Sequence, residues 1–257
     1  MKSRLIAQVL VIVFLIAFAS FAFAQTADNT GHQELLSKHY RLKKPKAAGP
    51  FPAVMMVPGC SGFEAEFQKE FYDSVQKRLV ELGFVTLRVD YLAARNVSSC
   101  ANAVSTEEVA ADIGIAAGYL KEQTFAKKDS LNVLGWSYGA AGALQALGRT
   151  YNREPVKVDA VVAYYPYCVV VQQRWDSKAP VLVLVGMLDN VAPERRCTNI
   201  FRGLPDERFT IRTYEDAHHG FDDFKLPAET QYRFGTLGYN KAAAESAWME
   251  VTNFLRR

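Results

Sequence analysis

The sequence predicts an α/β fold in which a doubly wound, mostly parallel sheet carries helices on both faces. Short apolar runs alternate with longer segments whose apolar residues recur at helical spacing. Several of the short runs are apolar throughout, as expected for parallel strands covered on both faces. The predicted strands are 53–57, 84–89, 131–134, 159–165, 180–185 and 208–214, and the predicted helices are 66–82, 106–120, 140–147, one from 193, and 241–255.

The first strand and helix have clear boundaries. The strand Ala53–Val57 ends in the turn-rich loop Pro58–Gly62. The helix Glu66–Leu82 is followed by Gly83, at the position that glycine favours after a helix end. Before this unit, residues 25–36 are polar and predicted to be frayed, residues 39–43 are a candidate edge strand, and residues 45–52 form a loop rich in proline and glycine.

Later helices are predicted from their first residues. Thr106 is the predicted N-cap of the second helix, because acidic residues occupy the first half of the segment that follows it. Pro193 is predicted to begin another helix, since proline is tolerated in a first turn. The alanine-rich segment Lys241–Leu255 is predicted to be the terminal helix.

The N-terminal segment has the pattern of a secretory signal peptide. Lys2 and Arg4 precede the apolar run Leu5–Phe23, and small residues at Ala22 and Ala24 suit a signal peptidase. We therefore expect residues 1–24 to be a signal peptide and residues 25–257 to form one domain, periplasmic or secreted, with no stable membrane association after cleavage. The alternative is an uncleaved membrane anchor, because the run approaches the ~20 residues that span a bilayer.

Composition narrows the classes of partner. The net charge is only +3, and no basic cluster with interleaved aromatic residues is present, so nucleic-acid binding is not predicted. A small-molecule substrate is the expected partner, and the oligomeric state stays open.

The chain has four cysteines, Cys60, Cys100, Cys168 and Cys197. An even number in an exported chain indicates disulfides, in any of three pairings, with buried free thiols as the alternative. No C-x-x-C spacing is present, so no metal site is predicted.

The motif Gly135-Trp136-Ser137-Tyr138-Gly139 has the form G-x-S-x-G. An apolar strand precedes it, and a run of small helix-forming residues follows it. A strand, a tight turn and a helix around a central serine are the setting of a nucleophile elbow, so Ser137 is the candidate nucleophile.

A serine nucleophile needs a base and a group that orients the base. Asp189 is the candidate acid, because it follows a buried strand and so lies at the carboxyl edge of the sheet, where open α/β sheets bind ligands. Asp206 and Asp216 are the rivals, and Asp206 precedes a strand, which puts it at the wrong end.

His219 is the candidate base, in the loop after the last predicted strand. His218 is its neighbour and rival, and Gly220 gives the loop room to direct the ring of His219 towards Ser137. A metal site on these two histidines with Asp222 and Asp223 lacks a zinc-like spacing.

Two backbone N–H groups are candidates for an oxyanion hole. One belongs to Tyr138, directly after the nucleophile, and the other to Cys60, in the loop after the first buried strand. Trp136 is a candidate substrate-binding residue beside the nucleophile, and core packing is its alternative role.

With these residues placed, the chain resembles the dienelactone hydrolase family of α/β-hydrolases over most of its mature length. The resemblance implies that Ser137, Asp189 and His219 form the family's nucleophile–Asp–His triad, and that esters or lactones are hydrolysed without a metal or organic cofactor. The segments that carry it are Val57–Phe63, Val89–Tyr91, Gly135–Gly139, Tyr165–Cys168, Gly186–Asp189 and Ala217–Phe221.

The chain departs from the best-known members of this family at three places. Ser137 replaces a cysteine nucleophile, and Gly59 replaces a glutamate of the first loop. Arg95 matches one of two arginines that bind a substrate carboxylate, but Asp222 and Asp223 stand where the second would fall. Dienelactone itself is therefore not assigned as the substrate.

Exported relatives that the chain resembles have cysteines in similar loops. That resemblance implies the pairs Cys60–Cys100 and Cys168–Cys197. The sequence thus predicts an exported serine hydrolase of carboxylic esters or lactones that works through an acyl-enzyme. The alternatives are a catalytically silent binding protein on a hydrolase fold and an acyltransferase.

Overall fold

The computed structural model describes residues 31–149, 154–170, 174–175, 177–201 and 208–257. A mostly parallel sheet of seven strands carries helices on both faces, which confirms the predicted fold class. The predicted signal segment, 1–24, lies outside the described residues, as does the rival acid Asp206.

The central sheet has the strand order β1-β3-β2-β4-β6-β8-β9, with β1 antiparallel to β3 and every other pair parallel. The chain first moves outwards from β2 to β3 and then returns to pair β4 on the other side of β2. Ligands of open α/β sheets bind at such a reversal. The strands are β1 Arg41–Lys43, β2 Phe51–Val57, β3 Val85–Arg88, β4 Ala126–Trp136, β6 Ala160–Tyr164, β8 Val181–Gly186 and β9 Phe209–Tyr214.

Two short ribbons lie outside the central sheet, and neither was predicted from the sequence. β5 (Gly148–Arg149) pairs with β7 (Arg174–Trp175), and β10 (Thr230–Tyr232) forms a hairpin with β11 (Gly235–Leu237). The β10–β11 hairpin pairs with the loop after β9 through an isolated bridge between His219 and Leu237.

The helices lie close to their predicted positions. Residues 31–38 form α1. The others are α2 Lys69–Glu81, α3 Thr106–Glu122, α4 Ser137–Ala146, α5 Glu194–Phe201 and α6 Lys241–Leu255, and single 3-10 turns span Ala93–Arg95 and Cys168–Val170.

Alternation along the buried strands divides the core into two layers. On β2, Met55 and Val57 face one layer, which α3 and α4 cover, whereas Val54 and Met56 face the other, which α2 and α6 cover. All four side chains are fully buried. Burial on both faces explains why β2 is an unbroken apolar run.

The prediction that residues 25–36 are frayed is wrong for the described part of that range. Leu36 of α1 is fully buried in the core, and His32 Nε2 lies 2.7 Å from Asp112 Oδ1 on α3. One apolar contact and one polar contact therefore hold a helix that the polar composition alone did not predict.

The predicted N-cap of α3 is displaced by one residue. Ser105, rather than Thr106, caps the helix: its hydroxyl accepts the backbone N–H of Glu108, and the carboxylate of Glu108 accepts the N–H of Ser105. This reciprocal capping box satisfies two N–H groups, which a cap at Thr106 would leave without partners.

The two disulfides are Cys60–Cys100 and Cys168–Cys197, so both predicted pairings are confirmed. Cys60–Cys100 joins the loop after β2 to the segment before α3. Disulfides of this kind are typical of an oxidising compartment. Among the described residues, no helix has both the length and the apolar character that crossing a bilayer would require.

Candidate active site

Ser137 lies at the junction between β4 and α4 and has a positive φ of 49°. Residues other than glycine rarely adopt this left-handed conformation, and it is held here by close packing. A β-carbon at Gly139 would lie 2.6 Å from the Val57 carbonyl oxygen and would overlap the Pro58 carbonyl oxygen. The first turn of α4 therefore contacts the end of β2 and the loop that follows it. This close approach requires glycine at position 139.

Three side chains that are distant in sequence meet at the carboxyl edge of the sheet. His219 Nε2 lies 2.9 Å from Ser137 Oγ, and His219 Nδ1 lies 2.8 Å from Asp189 Oδ2. A carboxylate only accepts hydrogen bonds, so Nδ1 carries the imidazole proton and Nε2 is left to accept from the serine hydroxyl. The structure thus brings together the three residues that the sequence singled out.

The carboxylate of Asp189 is fixed on both oxygens. Its Oδ1 accepts the backbone N–H groups of Val191 and Ala192 at 2.9 and 2.7 Å, which leaves Oδ2 for His219. Asp189 is 4% exposed and His219 6% exposed, so this contact is shielded from water. The Asp189–His219 interaction is correspondingly stronger than it would be at the surface.

The rival residues lie elsewhere. His218 is directed to the backbone, with Nδ1 3.2 Å from the Leu188 carbonyl oxygen. Asp216 is exposed, and its carbonyl oxygen accepts a hydrogen bond from the side chain of Asn240.

Tyr165 packs against the imidazole of His219, and Asp222 holds Tyr165 in position. The ring centroid of Tyr165 lies 4.5 Å from that of His219. The Tyr165 hydroxyl donates to Asp222 Oδ1 at 2.6 Å, and the indole N–H of Trp136 donates to Asp222 Oδ2 at 2.9 Å. Desolvation among these rings raises the pKa of Asp222 to about 6, against the lowering effect of the two hydrogen bonds.

Asp223 is more deeply buried than its neighbour. It is 1% exposed, its Oδ1 accepts the N–H of Lys225, and its Oδ2 has no hydrogen-bond partner among the described residues. Gln68 lies beside it, and the side-chain oxygen of Gln68 also lacks a partner there. Burial raises the pKa of Asp223 to about 7, and the nearby charge of Asp222 adds to this effect.

The two residues predicted to supply oxyanion-hole N–H groups both lie beside the cavity that contains Ser137. Tyr138 lies in the first turn of α4, where N–H groups have no partner within the helix. Cys60 lies in the loop after β2, and its carbonyl oxygen accepts the N–H of Cys100. Both residues line the cavity that contains Ser137, as the oxyanion-hole hypothesis requires.

The cavity in front of Ser137 has a volume of about 630 Å³. Its walls come from the loop after β2, the residues around the Cys60–Cys100 disulfide, and the aromatic residues beside Ser137 and His219. The β10–β11 hairpin contributes Phe234 and Leu237. Among the described residues that line it, none is an aspartate, glutamate, lysine or arginine. Trp136, the predicted substrate-binding residue, is part of the wall, although it is only 1% exposed and packs in the core.

Arg95, predicted to bind substrate, does not line this cavity. Its Nη1 lies 2.5 Å from Asp112 Oδ2 and donates to the Tyr91 carbonyl oxygen, and a further ion pair joins it to Glu108. The guanidinium group is thus committed to α3, because the fully buried carboxylate of Asp112 needs a cationic partner.

Several residues of the site were missed from the sequence. Tyr72 and Gln68 come from α2 and the residue before it, and Tyr165, Phe234 and Leu237 come from other elements. The helical periodicity of α2 marks Tyr72 only as a core position. The adjacent Asp222-Asp223 pair was noticed for its charge, but nothing in its pattern indicates burial.

The fold and the site define the chain as an α/β-hydrolase. The model of the dienelactone hydrolase family matches residues 39–257, and the chain belongs to that family. It is accordingly a carboxylic ester hydrolase that acts on esters or lactones.

Three known proteins illustrate the similarity. A probable 2-oxo-3-(5-oxofuran-2-ylidene)propanoate lactonase from a Bradyrhizobium species is 24% identical over 238 residues, which cover 84% of this chain and 87% of that protein. The crystal structure of a putative dienelactone hydrolase from Klebsiella pneumoniae superimposes with a TM-score of 0.69 at 18% identity, covering 85% of this chain and 92% of that one. Thermogutta terrifontis esterase 2 phosphorylated by paraoxon gives a TM-score of 0.59 at 14% identity, covering 82% and 85%.

The raised pKa of Asp223 predicts how stability depends on pH. Because the folded-state pKa, about 7, exceeds the ordinary value of 3.8, the folded state binds the proton more tightly. Asp223 therefore lowers the free energy of unfolding as pH rises from about 4 to about 7. We expect Asp223→Asn to remove this loss and to stabilise the protein at pH 8 by on the order of 3 kcal/mol.

The measurement is urea unfolding of both proteins between pH 4 and pH 8. Asp216→Asn, which makes the same change at an exposed carboxylate, is the control and should follow the wild type. Parallel wild-type and Asp223→Asn curves across this range would contradict the prediction.

Proposed function

We propose that the chain is a serine hydrolase in which Ser137, His219 and Asp189 act as a catalytic triad. His219 Nε2 takes the proton of the Ser137 hydroxyl as Oγ attacks the carbonyl carbon of an ester or lactone. The carbonyl oxygen becomes an oxyanion, which accepts hydrogen bonds from the N–H groups of Cys60 and Tyr138. The C–O bond to the leaving group breaks, and His219 gives its proton to the departing alkoxide.

The resulting acyl-enzyme is hydrolysed by the same groups. His219 takes a proton from water, the hydroxide attacks the acyl carbon, and the proton returns to Ser137 Oγ as the carboxylic acid leaves. For a lactone, the alcohol of the first step stays attached to the acyl group. Asp189 holds the imidazole in the tautomer that this sequence of transfers needs and stabilises its charged form.

The observation that carries this proposal is the continuous set of contacts from Asp189 through His219 to Ser137, at 2.8 and 2.9 Å. The left-handed backbone at Ser137 supports it independently, because strain of this kind concentrates at functional sites. Family membership supports it further.

We expect Ser137→Ala to lower kcat for p-nitrophenyl butyrate by at least about 10³-fold, because it removes the hydroxyl that His219 is placed to deprotonate. The variant should also lose labelling by a fluorophosphonate probe. Ser130→Ala, on the strand that leads to Ser137, is the matched control and should keep both properties.

Three results separate the alternatives. Turnover close to the wild-type value in Ser137→Ala would refute the triad. Absence of labelling in folded wild-type protein would favour a silent binding protein. Transfer products formed with added alcohols or amines would favour an acyltransferase.

We further propose that the part of the substrate that enters this cavity carries no negative charge. The described lining of the cavity offers no cation to pair with a carboxylate, and Arg95 is committed to Asp112. The two buried aspartates behind the site repel an anion to the extent that they are ionised. A carboxylate entering this space would lose hydration without gaining a partner.

A matched pair of substrates tests this directly. p-Nitrophenyl methyl suberate and p-nitrophenyl hydrogen suberate share the reacting ester and the chain length, and differ at the distal end, where a neutral methyl ester replaces a carboxylate. We expect kcat/KM for the charged ester to be at least about 10-fold lower, a difference of about 1.4 kcal/mol in transition-state binding. Equal or faster hydrolysis of the charged ester would contradict the proposal.

We also propose that the chain is exported and begins at Gln25 after removal of residues 1–24. The two disulfides support this, because such bonds persist in oxidising compartments. The intact mass of the protein released from the periplasm or the medium should correspond to residues 25–257. A full-length mass in the membrane fraction would instead favour the uncleaved anchor.

A further inference from the structure

The phenol of Tyr72 is a polar group in the cavity that the proposed mechanism does not yet use. Tyr72 projects from α2, is 1% exposed, and lines the cavity together with Ser137 and Cys60. Its ring is fixed by edge contacts with Phe63 and Trp136, whose centroids lie 4.9 and 5.1 Å away. The position of its hydroxyl is therefore set by packing.

The hydroxyl accepts a hydrogen bond but has a proton to give. The backbone N–H of Gly59 donates to Tyr72 Oη at 3.1 Å. Among the described residues, no group accepts the proton of this hydroxyl. Burial raises the pKa of Tyr72, so the phenol stays neutral and keeps its proton. A buried donor without an acceptor is unfavourable unless a water molecule or a ligand supplies one.

The hydroxyl of Tyr72 and the Cβ of Ser137 both lie within 4 Å of one point beside Gly59. The point at which a β-carbon on Gly59 would stand is 3.6 Å from Ser137 Cβ and 3.8 Å from Tyr72 Oη. Gly59 also directly precedes Cys60, whose N–H is assigned to the oxyanion hole. The phenol, the serine and the first oxyanion donor thus surround one small region of the cavity.

From this arrangement we propose that Tyr72 is a third donor to the oxyanion, so that its hydroxyl hydrogen-bonds the substrate's carbonyl oxygen as negative charge develops there. The inference rests on the proposed triad mechanism and adds a catalytic residue to it. No proton is transferred: the phenol donates a hydrogen bond that strengthens in the transition state. The N–H of Gly59 polarises the phenol, because hydrogen bonds in a chain reinforce one another.

Tyr72→Phe removes only the hydroxyl and keeps the packed ring. We expect kcat for p-nitrophenyl butyrate to fall by about 10²-fold with little change in KM, because the lost interaction belongs to the transition state. Circular dichroism and the thermal midpoint establish that the variant is folded. An unchanged kcat would overturn the inference.

A thionoester distinguishes a catalytic hydroxyl from one that only braces the loop. Sulfur in place of the carbonyl oxygen is a weaker acceptor, so it profits less from each oxyanion donor. We expect Tyr72→Phe to lower the ratio of kcat/KM for the ester to kcat/KM for its thiono analogue by at least about 5-fold, because the ester loses more transition-state stabilisation. An equal loss for both substrates would overturn the inference and leave Tyr72 a structural role.

Tyr91→Phe is the matched control. The Tyr91 hydroxyl donates to the carbonyl oxygens of Pro58 and Gly59, so it braces the same loop, but Tyr91 does not line the cavity. This variant should leave the ester-to-thionoester ratio unchanged. If its ratio falls as much as that of Tyr72→Phe, movement of the loop explains both results and the inference fails.

The failure of this inference is distinguishable from failure of the triad. If Ser137→Ala abolishes turnover while Tyr72→Phe retains the wild-type rate, only the role of Tyr72 is refuted. If Ser137→Ala retains turnover, the triad is refuted, and the role of Tyr72 falls with it. Fluorophosphonate labelling of Tyr72→Phe should still reach one label per chain, because Ser137 and His219 remain in contact.

Discussion

The close approach of α4 to the loop after β2 is the constraint on which the rest of the site depends. Gly139 lies so near the carbonyl groups of Val57 and Pro58 that no side chain fits there. This contact sets the left-handed turn at Ser137 and directs its hydroxyl out of the sheet. It also fixes the distance between the first turn of α4 and Cys60, and thus the size of the proposed oxyanion hole. One close contact at Gly139 therefore brings the proposed nucleophile and its two proposed backbone donors together.

The sequence predicted those parts of the structure that local physics determines. Unbroken apolar runs marked the parallel strands, because strands such as β2 are covered on both faces. Asp189 and His219 each follow a strand, and the carboxyl ends of parallel strands lie at the same edge of the sheet. Their place in the sequence therefore predicted that both lie at that edge. The capping box at Ser105 was missed by one residue. The choice between adjacent polar residues depends on a reciprocal side-chain contact, which the order of residues suggests but does not determine.

Other features depend on pairings between elements, which one sequence does not reveal. Arg95 lies in the loop in which a substrate-binding arginine would be expected. Its guanidinium instead pairs with the fully buried carboxylate of Asp112 on α3. Tyr72 occupies a core position of α2 by its spacing, and only the neighbouring loop makes its hydroxyl part of the cavity. α1 is held by Leu36 and His32, which contact residues that follow much later in the chain.

The two aspartates after His219, Asp222 and Asp223, affect the electrostatics of the site although neither lines the cavity. Asp222 does not line the cavity: its two oxygens accept hydrogen bonds from Tyr165 and Trp136, and Tyr165 in turn packs against the imidazole. Desolvation raises the pKa of Asp222 to about 6 and that of Asp223 to about 7, so both carboxyl groups change charge at or just below neutral pH. The described residues that line the cavity include no aspartate, glutamate, lysine or arginine, while Asp222 and Tyr165 outside and beside it help to hold the imidazole. In the proposed mechanism, such a site stabilises charge where the reaction creates it, at the oxyanion and the imidazolium, and gives no advantage to charge that a substrate brings with it.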